Sequence, residues 1–288
     1  MDYHADRFTD CSMIARKGGR WVAVLPANLT PDKTLQSHGG LTYGGWILSR
    51  KHADEPTMLE LWRHWLDKCR EMGIKAIDYK PLPHIYAMQP SEEDIYALWL
   101  SGASISECNV SASIRLAGNP GLNDRRRRFL RKAEALEFEI CRTDNPEQYA
   151  EFYTVLSSCL AERHDATPVH TLEELKLLRE RFPDNIQLWV LVHNGRIEAG
   201  VVLYVSLRVV HAQYIATSPF ARDNNLLTPL FARLIEESQN GFFGSSVEYF
   251  DFGISNEEHG RVLNTTLYRQ KVSFGATAVV YPRYKLYL

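Results

Sequence analysis

The sequence predicts a mixed α/β protein built in two parts, and three observations predict it. Its 288 residues are long for one core and sufficient for two modest ones. Apolar residues make up 45% and charged residues 24%, the balance of a globular chain that needs no disulfide or metal staple. Period-two and helical hydrophobic patterns alternate from end to end, interrupted near the middle by the turn-rich Gly118-Asn-Pro-Gly121.

In the first part, Cys11 to Leu25 alternates around Lys17-Gly18-Gly19, the pattern of a hairpin. Leu41 to Ser49 reads as a strand, where Gly44 and Gly45 mark a bulge or a close backbone approach. Pro56 to Met72 carries Leu59, Trp62, Leu66 and Cys69 at helical spacing, and Gly73 ends it. Trp62 and Trp65 read as core. Ile74 to Tyr79 is a short strand. Pro90-Ser91-Glu92-Glu93 opens a helix through Leu100 with Ser91 as N-cap, and Cys108 to Leu116 alternates as a strand.

The second part is more regular. Asp124 to Leu136 is a helix bearing Arg125-Arg126-Arg127-Arg128, Arg131 and Lys132. Phe138 to Thr143 is a strand, Pro146 to Arg163 a helix, and Thr171 to Phe182 a second helix with a capping box from Thr171 to Glu174. Three strands follow: Ile186 to His193, Ile197 to Ser206 after an Asn194-Gly195 turn, and Val209 to Ser218. Leu227 to Gln239 is a helix, Val247 to Ile254 a strand, Arg261 to Phe274 a helix and Ala276 to Tyr284 the last strand. The expected division is 1–117, a basic linker helix at 118–137, and 138–288.

Several function classes are disfavoured by composition. A net charge of −2 argues against a general nucleic-acid coat, which needs a basic surplus. The five cysteines, Cys11, Cys69, Cys108, Cys141 and Cys159, show no CxxC pair and no zinc-ligand spacing, so reduced thiols and no metal are expected. No apolar run is long enough for a membrane span, and the first residues lack the regions of a signal peptide, so a cytoplasmic protein is expected. There is no G-x-S-x-G elbow for a hydrolase.

From Phe138 onward the order is β-α-α-β-β-β-α-β-α-β, which resembles the GNAT acyltransferase fold. Tyr249-Phe-Asp-Phe-Gly253, Leu267-Tyr-Arg-Gln-Lys271-Val-Ser-Phe-Gly275 and the aromatic strand ending at Tyr284 resemble the C-terminal signature of Fem-type aminoacyltransferases, within a wider FemAB-like group. The basic helix ending in Arg131-Lys132-Ala133 is similar to that group as well. Fem-type proteins build peptidoglycan cross-bridges and carry two GNAT-like halves. The resemblance therefore implies a tandem fold, with a complete C-terminal copy and a reduced N-terminal one. It implies transfer of an acyl or aminoacyl group to an amine, with a cell-wall precursor as acceptor.

Such a site needs a held donor, a deprotonated amine and a stabilised oxyanion. In the family's fold the donor carbonyl lies where the strands Val209 to Ser218 and Val247 to Ile254 part. By resemblance Lys271 offsets charge at that carbonyl, although Gln270 stands where Fem-type proteins have Phe; a solvated helix lysine is the alternative. Alternation places His211, Gln213, Ile215 and Thr217 on one strand face and Ala212, Tyr214 and Ala216 on the other. Buried polar neighbours are expensive, so His211 and Gln213 are site candidates, His211 as base. A satisfied core histidine is the competing reading, and Asp251 is either an orienter or a strand-end residue. Arg163, His164 and His170, around Pro168, sit in the turn that commonly lines the acceptor pocket, and Tyr214 joins them as a substrate-binding candidate.

The donor divides the expectations. A coenzyme-A-dependent GNAT carries an Arg/Gln-x-x-Gly-x-Gly/Ala loop whose backbone amides cradle pyrophosphate at a helix start. Here the stretch is Arg222-Asp-Asn224-Asn225-Leu226-Leu227-Thr228, with Asn225 and Leu227 in place of the glycines. Acyl-CoA is thereby weakened, and aminoacyl-tRNA gains. Arg125 to Lys132 is a possible tRNA surface or a solvated helix face. The rival from another class is a catalytically inactive relative that binds a ligand or a partner.

Overall fold

A computed structural model of the chain describes residues 6–164 and 167–288, the side chains of 163 and 164 excepted. Its contacts divide the chain into two units. The first comprises Met1–Val110, Asn256–Leu263 and Val279–Leu288, and the second Ser111–Ser255 and Asn264–Ala278. These units do not follow the linear boundaries at 117 and 137. The basic helix belongs to the second unit.

In the first unit, strands β1 (Thr9–Asp10), β4 (Asn28–Leu29), β5 (Thr34–Gln36) and β7 (Ala76–Tyr79) form a sheet. The hairpin β2 (Met13–Lys17) and β3 (Arg20–Leu25) pairs with β6 (Ile47–Leu48). Gly18 and Gly19 take φ 56° and 76° at the hairpin tip, as a tight primed turn requires. Helix α1 (Glu55–Glu71) starts where the Asp54 carboxylate accepts the Thr57 amide. Its Met58, Leu61, Trp62, Trp65, Leu66 and Cys69 are buried with Leu35, Ile77 and Tyr79. Helix α2 (Glu93–Leu100) adds Ala97 and Leu98 to that core.

Two expectations fail here. Only Ile47–Leu48 of the segment Leu41 to Ser49 is strand, because Gly44 and Gly45 hold it as a tight strap. A Cβ at Gly44 would lie 2.3 Å from the Ser37 carbonyl oxygen, and one at Gly45 2.7 Å from the Tyr79 hydroxyl. The Ser91 hydroxyl bonds the Glu93 carboxylate instead of capping α2, whose N-cap is Glu92.

The second unit is a sheet in the order β8 (Ser104–Arg115), β13 (Tyr249–Ile254), β12 (Val209–Thr217), β11 (Arg196–Val205), β10 (Ile186–His193) and β9 (Glu139–Thr143). Helices cover both faces. On one side lie α3 (Asp124–Ala133) and α7 (Leu227–Gln239), whose Phe231 packs with Phe250, Phe252 and Phe274. On the other lie α4 (Pro146–His164) and α5 (Leu172–Arg181), with Phe152 and Leu156 of α4 in one core with Leu188 and Val190 of the sheet. The Thr171–Glu174 capping box is present. Asn194 and Gly195 take φ 50° and 73°, closing β10 on β11.

The sequence pattern missed a short helix, α6 (Pro219–Asp223), capped by Ser218. The helix expected from Arg261 to Phe274 starts later, because Val262–Leu263 is a strand, β15, that pairs with β14 (Asn256–Glu257) as a ribbon in the first unit. Glu258, His259 and Gly260 turn it with positive φ. Helix α8 (Thr265–Val272) then starts where Asn264 caps the Leu267 amide, and β16 (Thr277–Tyr287) closes the chain. No helix among the described residues is long and apolar enough to cross a membrane.

Candidate active site

Strands β12 and β13 run parallel and pair at Val209/Tyr249, Val210/Phe250 and His211/Asp251. Beyond that rung β12 continues to Thr217 and β13 to Ile254 without pairing to each other, so the strands part at His211 and Asp251. The two side chains meet there. His211 Nδ1 lies 2.8 Å from Asp251 Oδ2, while Ser111 and Ser113 donate to Oδ1 at 2.5 and 2.6 Å.

Asp251 is 0% exposed. Burial pushes its carboxyl up, but the hydrogen bond and charge of His211 and the two serine hydroxyls outweigh that and hold it well below the usual carboxylate range. An ionised carboxylate only accepts, so Nδ1 carries the ring proton and Nε2 is the free base position. The ring rests against Gly253, where an added Cβ would stand 3.3 Å from His211 Cε1.

A bulge changes the expected alternation. Between Val202 and Leu203 the pairing of β11 with β12 shifts, leaving Gln213 as the extra residue. Val210 and Ala212 belong to the core under α7, but after the bulge it is Ile215 that packs there. Tyr214 and Ala216 join the core under α4 instead. The simple alternation from 211 to 217 is therefore wrong, and Tyr214 lies on the face that His211 occupies before the bulge. The Tyr214 hydroxyl is 2.6 Å from His170 Nδ1 and accepts the His170 amide at 3.3 Å. Burial pushes that hydroxyl's pKa up, against hydrogen bonds from the His170 backbone and Gln213. Tyr153 donates to the His170 carbonyl. Thus His170 and Tyr214 come together, while the side chains of Arg163 and His164 lie outside the described residues.

Lys271 is buried, with 6% exposure. Its Nζ donates to the carbonyls of Gly253 and Ile254 at 2.9 and 2.7 Å. Burial pushes its ammonium down to about 8, against the pull of Asp251. The solvated-lysine alternative is excluded by this placement, since the side chain clamps the end of β13.

The loop 222–228 is closed by its own hydrogen bonds. The amides of Arg222, Asn224, Asn225, Leu226 and Thr228 donate to the carbonyls of Ser218, Phe220, Arg222, Ala221 and Asn225. Asn225 adopts φ 56° where a glycine is expected, Leu226 is buried, and Leu227 begins α7. Pro229, in the first turn of α7, has no N–H at all. Arg222 donates to the Thr217 carbonyl at 3.1 Å and to Glu162 at 3.0 Å.

The basic helix splits in two. Arg126, 7% exposed, donates to Ser273 and Thr228 and lies 4.3 Å over the Phe274 ring. It ties α3 to α7 and α8. Arg125, Arg128, Arg131 and Lys132 are exposed, and Arg127 pairs with Asp124. Among the described residues no group of three or more His, Cys, Asp and Glu side chains is placed to hold a metal ion.

Ser111 and Ser113 went unnoticed in the sequence because they precede the boundary expected at 117. Their only signal is Ser-Ala-Ser on a strand, which puts both hydroxyls on one face.

Residues 122–261 match the model of the acetyltransferase (GNAT) domain family. No curated protein sequence matches the chain. Among solved structures, FemX superposes with a TM-score of 0.71 at 10% identity, covering 99% of this chain and 89% of that one. L-PGS from Bacillus licheniformis gives 0.59 at 11% identity, covering 92% and 81%. A tandem GNAT protein from the clavulanic acid biosynthesis pathway gives 0.52 at 10% identity, covering 99% and 86%. Residues 122–261 form an acetyltransferase (GNAT) domain, and the chain as a whole has the tandem GNAT fold, with a complete C-terminal copy and a reduced N-terminal one.

Proposed function

We propose that the second unit transfers an acyl or aminoacyl group from an activated donor to an amine, by direct attack of the amine on the donor's carbonyl. The observation that carries this reading is the His211–Asp251 pair at the last rung before β12 and β13 part. As the amine nitrogen bonds the carbonyl carbon, its proton passes to His211 Nε2 and Asp251 stabilises the imidazolium. When the carbon–leaving-group bond breaks, the departing heteroatom takes that proton. In this reading the unpaired edge of β12 supplies a backbone N–H to the oxyanion. Tyr214, Gln213 and His170 line the acceptor side of the same face.

The donor favoured by the loop 222–228 is an aminoacyl-tRNA. Five amides of that stretch, those of Arg222, Asn224, Asn225, Leu226 and Thr228, already donate to the chain's own carbonyls and not to a pyrophosphate. The exposed Arg125, Arg128, Arg131 and Lys132 then serve the tRNA phosphates. The Fem-type resemblance supplies the acceptor class, an amine of a cell-wall precursor, and charged tRNA places the reaction in the cytoplasm.

Calorimetric titration with acetyl-CoA, beside capture of charged tRNA, tests this reading. Retained tRNA with no heat from acetyl-CoA supports it. Saturable acetyl-CoA binding lost in Arg222→Ala replaces it with a conventional acetyltransferase. If neither binds, the chain is an inactive relative.

A further inference from the structure

Two hydroxyls that the proposed chemistry does not itself require converge on the buried end of the dyad. Ser111 and Ser113 of β8 both donate to Asp251 Oδ1, leaving Oδ2 for His211. Both serines are buried. On a regular ladder one of the two would fall short. Asp251 stands opposite Ser113, and the residue opposite Ser111 would be Gly253. Instead a bulge puts Ile254 opposite Ser111, drawing that hydroxyl toward Asp251. Gly253 takes φ 76° inside the bulge, and Lys271 holds the carbonyls of Gly253 and Ile254.

We propose that Ser111 and Ser113, together with the bulge that Lys271 clamps, are positioning residues for His211: they fix one rotamer of the Asp251 carboxylate, Oδ1 toward β8 and Oδ2 toward the imidazole. The inference rests on the reading of His211 as the base. Lys271 accordingly acts on the site through the backbone of β13 and not at the donor's carbonyl. The hydroxyls also share the carboxylate's charge. Without them more of that charge rests on Oδ2, which favours the imidazolium over the neutral ring more than in the parent. The charged groups bearing on the ring are Asp251 from β13 and, through it, Lys271 from α8.

The test needs no substrate. Imidazole nitrogen resonances of 15N-labelled protein are followed against pH in the parent, Ser111→Ala, Ser113→Ala and the double variant, with His211→Gln assigning the signal. The double variant is expected to take up the imidazole's second proton about one pH unit higher than the parent, a tenfold change in proton concentration. Each single variant shifts part of the way, and Ser113→Thr, which keeps a hydroxyl, returns toward the parent. If the double variant does not fold by circular dichroism, the single variants decide. A folded variant with unchanged imidazole titration and tautomer overturns the inference. His211→Gln with undiminished transfer overturns the base reading instead, by a different measurement, whatever the serines do.

Discussion

The two units build the same frame and finish it differently. In the second, β12 and β13 are parallel, joined through α7, and pair last at His211/Asp251; residues 111–115 of β8 flank β13 with Ser113 opposite Asp251. In the first, β5 and β7 are parallel, joined through α1, and pair last at Gln36/Asp78; residues 284–287 of β16 flank β7 with Lys285 opposite Asp78. Asp78 and Asp251 therefore hold corresponding places, and Gln36 stands where His211 does. Asp251 is given neutral donors and an imidazole. Asp78 is given the Arg283 guanidinium, which grips both of its oxygens and reaches Glu107 as well. The chain itself seals the end of the first frame: the Ser37 amide donates to the Asp78 carbonyl and the Gly44 amide to that of Lys80. One frame ends in a hydrogen-bonded histidine–aspartate pair, and the other in a closed ion pair.

The sharpest way to break that contrast is to remove the two residues at matching places. His211→Gln is expected to lower the transfer rate about 10²- to 10⁴-fold with the fold intact. Gln36→Ala is expected to change it less than about threefold, because this part-buried side chain bonds Asn28 and Asp78, away from the proposed chemistry. Transfer rates of the two variants, each with its circular dichroism spectrum, make the comparison. Equal losses would mean that the first frame is also a site.

The sequence made most of this frame legible where a local rule decided it. The Asn194-Gly195 turn, the Thr171 capping box and the apolar stripe of α1 each depend on neighbours within a few residues. The site was legible only in part. His211 and Asp251 could be named as polar residues on central strands, but their meeting depends on a parallel register set across the crossover helix. The bulge at Gln213 moved Tyr214 onto the face of His211, and no side-chain pattern announces a bulge without a glycine. Ser111 and Ser113 come from a strand on the far side of an apparent linker. Lys271 was noticed by resemblance, yet its carbonyl partners lie in a bulge that only the tertiary pairing creates.

A subtler comparison exchanges each aspartate for asparagine. In Asp251→Asn the amide oxygen still accepts from both serines and the amide nitrogen faces His211, which must turn its other tautomer. Transfer is expected to fall about 10²- to 10⁴-fold, and the melting temperature at neutral pH falls too, because the variant gives up the stability that the ionised carboxylate contributes there. In Asp78→Asn the new NH₂ meets the N–H groups of Arg283, and the guanidinium is left with Glu107 as its counter-charge. Because Arg283 is partly exposed, the cost is expected to be about 1–2 kcal/mol of stability, with transfer chemistry unchanged. Denaturant melts and transfer rates on both variants separate the two roles.

The units also differ in how pH acts on their buried carboxyls. Burial pushes Asp94 of the first unit up to about 6, against hydrogen bonds from Tyr79 and the Ile95 amide. Its folded value is above its ordinary one, so the folded state binds the extra proton between about pH 4 and 6. The stability it contributes is complete below that window and lost as pH rises through it. Asp251 has the opposite sign, with stability present at neutral pH and lost in acid. Asp94→Asn is expected to flatten the decline between pH 4 and 7 by on the order of 2 kcal/mol. Urea melts at the two pH values measure it, and an unchanged slope would remove Asp94 as its source.

The smallest expected effect is the one that decides the donor. Arg222 pairs with Glu162, whose side chain is 53% exposed, and with the Thr217 carbonyl. Replacing it with alanine gives up an exposed ion pair and one hydrogen bond, about 0.5–1 kcal/mol at most. If the amides of 222–228 are committed to the chain, Arg222→Ala leaves transfer from charged tRNA within about twofold, because nothing at that loop holds the donor. A phosphate-binding arginine at a helix start behaves otherwise: its loss weakens donor binding tenfold or more at unchanged stability. Donor affinity measured alongside a urea melt therefore reads the second unit directly. A variant with parental affinity leaves His211 and Asp251 as the functional end of the frame. One with weakened affinity reopens the loop as a phosphate site and returns coenzyme A to consideration.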